Sequence, residues 1–126
     1  MKEKIKVLIL KGGQLYERDI ENTLENLQDI VGGWIEIPYL SERFADEGID
    51  VIINEEGKII GLEPEIVLFN KNNNRLLDIV VGKCIFASHD EEGNTIGLNQ
   101  KQIDVVKEEL RREMFLPDGV AKALFI

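Results

Sequence analysis

Lys4-Ile5-Lys6-Val7-Leu8-Ile9-Leu10 alternates polar and apolar residues and then turns continuously apolar. That is the pattern of a strand running into a core. Gln14-Leu15-Tyr16-Glu17-Arg18 alternates again, and Gly12-Gly13 lies in the gap. Glycine reaches the positive φ of a tight turn, so the two runs predict a β-hairpin. Leu24, Leu27, Ile30 and Val31 share one helical face, with Asn22 and Glu25 spaced as a capping box. Gly32-Gly33 then supplies a left-handed stop. Trp34 to Leu40 reads as a strand, at an edge or bulged because Pro38 carries no N–H.

Further along, Ser41 to Gly48 is polar and acidic and reads as a loop. Ile49 to Ile53 is a strand, Glu55-Glu56-Gly57 a turn, and Lys58 to Leu62 its expected hairpin partner. Glu65 to Phe69 fits a short strand or a helical turn, and Leu76 to Val81 is apolar but of open type. Lys71 to Asn74 and Asp90 to Asn94 are turns, and Lys83 to Ser88 is a strand. Asn99 caps a second helix whose stripe is Ile103, Val106, Leu110 and Met114, with Pro117 as its stop. The tail over 116–126 ends in Leu124-Phe125-Ile126, which either docks on its own domain or joins a partner chain. The expected fold is a single α+β domain over residues 1–126. It has a twisted, mainly antiparallel, hairpin-rich sheet, with the Asn22–Val31 and Asn99–Met114 helices packed on one face.

Composition narrows the function classes. The 126 residues are 44% hydrophobic, enough for one core. A lone cysteine, Cys84, forms no internal disulfide. The net charge is −9, from 24 acidic and 15 basic residues. Such a field repels nucleic acid and anionic membranes, so no direct nucleic-acid binding is expected. No apolar run approaches the roughly 20 residues of a membrane span. Met1-Lys2-Glu3-Lys4 leads straight into the first strand, not into an apolar leader segment. The expected setting is the cytoplasm.

Candidate chemistry is sparse. There is one histidine, His89, and one cysteine, and a zinc site needs three or four such ligands. Five positions apart on one strand, Cys84 and His89 face opposite sides, which argues against a dyad. Asn70 to Arg75 lacks the glycine and closing carboxylate of a calcium loop. Glu55/Glu56 and Glu91/Glu92 are adjacent pairs that diverge rather than converge. No metal, cofactor or catalytic set is expected. Gly32-Gly33 follows a helix, the wrong end for a phosphate. Trp34, Tyr39, Arg43 and Phe44, with Lys58 and Arg75, offer aromatic faces and cations that suit a planar base and a phosphate. The plainer reading is that Trp34 and Tyr39 are strand residues packed on the first helix.

Leu27-Gln28-Asp29-Ile30-Val31-Gly32-Gly33-Trp34-Ile35-Glu36, followed by Asn54-Glu55-Glu56-Gly57-Lys58-Ile59-Ile60-Gly61-Leu62, resembles the family known as domain of unknown function 3846. Its motif positions here are Gly32, Gly33, Asn54, Gly57 and Gly61, and the resemblance covers about residues 4–114. Glu63-Pro64-Glu65-Ile66 departs from the proline and asparagine-centred segment of that family. The resemblance implies an accessory role in bacterial phages, plasmids or other mobile elements, hence a bacterial host cell, and implies no particular activity.

Three functions follow as expectations. The first is non-enzymatic and anti-defence: sequestration of a small nucleotide-like immune signal. The second is an acidic inhibitor, DNA-mimicking or otherwise, of a host defence protein. The third is a metal-dependent nucleotide-processing enzyme. Sheet-edge pairing and the apolar tail would serve a homo-oligomer under any of them.

Overall fold

The diglycine between the first two apolar runs closes a hairpin as the pattern requires. A computed structural model of the protein describes residues 3–126. In it β1 (Lys4–Lys11) pairs antiparallel with β2 (Gln14–Glu21), Lys11 opposite Gln14, which leaves a two-residue turn. Gly12 and Gly13 take φ of 61° and 79°, the double positive φ of the hairpin turn that matches strand twist.

The chain continues through α1 (Leu24–Val31), β3 (Ile35–Glu36), α2 (Glu42–Asp46), β4 (Ile49–Asn54), β5 (Pro64–Phe69), β6 (Leu76–Val81), β7 (Cys84–His89), β8 (Thr95–Ile96), α3 (Gln100–Glu109), β9 (Arg112–Leu116) and β10 (Gly119–Phe125). The class is α+β, hairpin-rich and mainly antiparallel. The strands divide into two sheets rather than one. The first runs β2-β1-β7-β4-β3, with β8 joined to β7, and the second runs β6-β5-β10-β9. Among the described residues only the β5–β10 pair is parallel.

The two longer helices lie on opposite faces of the first sheet, not on one. Leu8, Leu10, Val51 and Phe86 share a core with Ile103 and Val106 of α3, with Leu110 that caps its C-terminus, and with Ile66, Leu68 and Leu124 of the second sheet. Ile5, Val7, Ile52, Ile85 and Ala87, from the alternate positions, pack on Leu27 and Val31 of α1. A strand that is apolar on both faces needs cover on both, and the unbroken run Val7-Leu8-Ile9-Leu10 already carries that requirement.

Four local expectations give way to tertiary demands. Thr23, not Asn22, caps α1, accepting from the Asn26 N–H at 3.1 Å, while the Asn22 amide donates to the Thr95 carbonyl at 2.8 Å. Ser41 to Gly48 holds a short helix, capped by Ser41, that drives Phe44 into the core. Lys58 to Leu62 coils into successive turns, with Ile60 N–H on Glu56 O and Leu62 N–H on Gly57 O. Both edges of β4 are already taken by β3 and β7, so a hairpin partner has no place. Finally, α3 ends at Glu109, and Met114 belongs to β9, opposite Ala121 of β10. Pro117 therefore sits in a hairpin turn, not at a helix stop. The apolar tail docks on its own domain as β10, between β5 and β9, with Leu124 buried.

Among the described residues no helix is long and apolar enough to cross a membrane.

Candidate functional site

The six residues that sequence reasoning groups around a nucleotide do not form one site. Trp34 follows the α1 cap, is 67% exposed, and borders a shallow depression with Gln28 and Asp29. Arg43 lies on α2 and Arg75 in the β5–β6 turn, both exposed to solvent. Phe44 is 2% exposed and meets Phe86 edge-on with ring centroids 6.0 Å apart, so it presents no face to a ligand. It only borders, from beneath, a small hollow beside Tyr39. Tyr39 and Lys58 do come together. They line a cleft of about 320 Å³ floored by Ile53, Leu68 and Val80. There Lys58 Nζ lies 2.6 Å from Asp78 Oδ1, an exposed pair in which the lysine holds the aspartate below its ordinary pKa.

The glycines of the two motif segments have structural work. Gly32 caps α1 in the left-handed region at φ 83°, and its N–H reaches the Gln28 carbonyl. Asn54, 5% exposed, donates from Nδ2 to the Val31 carbonyl at 3.1 Å and accepts from the Glu56 N–H at 2.8 Å. A Cβ on Gly33 would stand 3.0 Å from that same Nδ2. The two segments thus recognise each other: the end of α1 is held by the residue that opens the turn after β4. Gly57 and Gly61 lie in that turn.

A larger cavity lies elsewhere, on the outer face of the second sheet. Alternate positions of β5 and β9, Val67 with Phe69 and Met114 with Leu116, line it together with Leu76 and Ile79 of β6, where an irregularity in the β5–β6 register falls between them. Val120 and Pro117 close one side. Its volume is about 660 Å³. At the end nearest the first hairpin sits Glu65, only 6% exposed. One carboxylate oxygen accepts from the Gly12 N–H at 3.0 Å and the other from the Gly13 N–H at 3.3 Å. Successive N–H groups of a left-handed turn make a small anion seat, and here the chain fills it with its own acid. The fit is close, since a Cβ on Gly13 would meet Val120 Cγ1 at 2.7 Å.

Burial raises the Glu65 carboxyl above its ordinary pKa, against the two glycine N–H groups and Lys11, which pull it down, and with Glu63, which pushes it up. Burial, and then the nearby Glu65 charge, drive the Cys84 thiol strongly upward, and its Sγ rests 3.5 Å from the Gly82 carbonyl. His89 lies at the far end of β7 with Nδ1 2.9 Å from Asp50 Oδ2. Among the described residues no three His, Cys, Asp or Glu side chains gather as a metal site would require.

Sequence reasoning missed Glu65. Its signal is present: an acid at the alternate positions shared by Val67 and Phe69 in an otherwise apolar strand. What the sequence lacks is the partner, since nothing local brings Gly12-Gly13 to it across the fold.

Residues 5–111 match the family described as "Domain of unknown function (DUF3846)". No curated protein matches the chain, and no solved structure matches it.

Proposed function

In a chain that belongs to the DUF3846 family, whose description names no activity, the reading rests on the site itself, and we propose that this protein binds a small, largely apolar ligand in the cavity over the second sheet. The observation that carries this is the cavity: about 660 Å³, walled by aliphatic and aromatic side chains, with one buried carboxylate at its end. Ligand pockets typically run roughly 300–1,000 Å³, mostly apolar with a few placed polar groups. A buried acid in apolar surroundings works against stability and is the kind of local conflict that marks functional sites.

The test is an environment-sensitive apolar dye titrated into the purified protein, with competing small molecules. Saturable binding that is lost in Ile79→Trp, which fills the cavity from β6, and kept in Tyr39→Ala supports the assignment. Binding unchanged by Ile79→Trp refutes it.

A second reading keeps the nucleotide-like signal, held without turnover in an anti-defence setting, and places it in the Tyr39–Lys58 cleft. The meeting of an aromatic ring and a cation there favours it. Native mass spectrometry with linear and cyclic nucleotides tests it. A stoichiometric adduct released intact and lost in Tyr39→Ala supports it, whereas a chemically altered nucleotide or no adduct rules it out.

A further inference from the structure

We infer that the ligand of this cavity carries a cationic, hydrogen-bond-donating head, an alkylammonium in its simplest form, that meets Glu65 while its apolar body lies along Val67, Phe69 and Ile79. The inference rests on the cavity being a ligand site.

Three observations on the polar groups lead to it. First, the charged residues around the cavity are Glu63, Glu65 and Asp118 against Lys11 alone, so its polar rim is acidic. An acidic head group would enter against that charge. Second, Glu65 is buried and yet forms no ion pair among the described residues. An ionised carboxylate kept from water is costly unless a cation or several donors meet it. Third, its two oxygens each take one N–H, from Gly12 and Gly13. A carboxylate offers about four lone-pair positions, so about half remain for a donor arriving from the cavity. The diglycine thereby holds the carboxylate in a fixed orientation, and a charge-assisted bond to a pre-oriented acceptor is a strong one. Burial raises the Glu65 carboxyl above its ordinary pKa, and a cation arriving beside it would lower it again.

The experiment compares decylammonium, decanol and decanoate, three molecules with one chain and three heads, by displacement of the dye from the purified protein below their aggregation concentrations. The expected result is that decylammonium binds about tenfold or more tighter than decanoate, with decanol between, the scale of one good charge-assisted contact. In Glu65→Gln, checked for folding by circular dichroism, the preference for the ammonium over decanol disappears. Ile79→Trp weakens all three. If wild type binds the three alike, or prefers decanoate, the head-group inference is overturned and the cavity reading stands. If Glu65→Gln keeps the ammonium preference, the overall acidity of the protein explains it and the inference is again overturned. If none of the three displaces the dye, the head-group inference is overturned; the cavity reading fails only if the dye itself binds Ile79→Trp as it binds wild type.

Discussion

Glu65 holds Gly13 across 52 positions of sequence, its carboxylate accepting the glycine N–H at 3.3 Å. This bond and its neighbour to Gly12 seat the tip of the β1–β2 hairpin on the second sheet. Its dependence on pH follows from the raised pKa of the acid. The ordinary value is 4.5, and burial lifts the folded value above it. Between the two, the folded protein keeps a proton that the unfolded chain has released. Stability is therefore full below 4.5 and falls as pH climbs through the folded pKa. Urea unfolding across this range should show that loss in wild type and not in Glu65→Gln. An equal slope in both would exclude Glu65 as its source.

The seat itself is open to a steric test. Gly12 and Gly13 both carry positive φ, so alanine at either pays for a left-handed backbone, about 1–2 kcal/mol. A Cβ on Gly12 meets nothing within 4 Å, whereas one on Gly13 meets Val120 Cγ1 at 2.7 Å and the Val120 carbonyl at 2.9 Å. Gly13→Ala should thus lower the unfolding free energy more than Gly12→Ala does. Val120→Ala should restore only part of the difference, because the backbone oxygen remains. Equal losses at the two glycines would mean that the tip is not tightly seated.

Asn54 predicts a stability effect at the junction of the two motif segments. Asn54→Ala leaves the Val31 carbonyl and the Glu56 N–H without their partner in a buried place. The cost should be about 1–3 kcal/mol in a chemical melt. Asn54→Asp keeps only the Glu56 contact and should recover only part of it. Wild-type stability in Asn54→Ala would sink the clamp.

Cys84 should be silent toward thiol reagents in the native state. Its side chain is fully buried and its thiol is pushed up, so little thiolate forms and none is reached. Labelling should proceed at the rate of opening and accelerate with urea in step with global unfolding. Fast labelling without denaturant would show that the β7 region opens locally.

The sequence carries the strands well where alternation and turn chemistry agree, as at Lys4–Lys11, Gly12-Gly13 and the Asn99 cap. It misleads where long-range pairing decides. The stripe Ile103, Val106, Leu110, Met114 keeps helical spacing past the true end of α3, and Met114 pairs with Ala121 in a strand instead. Lys58 to Leu62 alternates like a strand but finds β4 already paired on both sides. The grouping of Trp34, Tyr39, Arg43, Phe44, Lys58 and Arg75 rests on residue type, and type does not report distance. Phe44 shows why: its polar stretch forms a short helix capped by Ser41, which carries the ring into the core and away from any ligand.

Because β10 is the parallel partner of β5 and lies between it and β9, the second sheet has no centre until its latest-made strand arrives. On the ribosome β5 and β6 must wait with an open edge and bare aliphatic side chains while α3 and β9 are still being synthesised. Parallel pairing between distant segments is slow to form. The cavity walls contributed by β5 and β9 are thus brought together only once β10 has paired with both. Until then the unpaired edge of β5 is the place where a second chain could pair instead, so aggregation should be sensitive to how fast β10 docks.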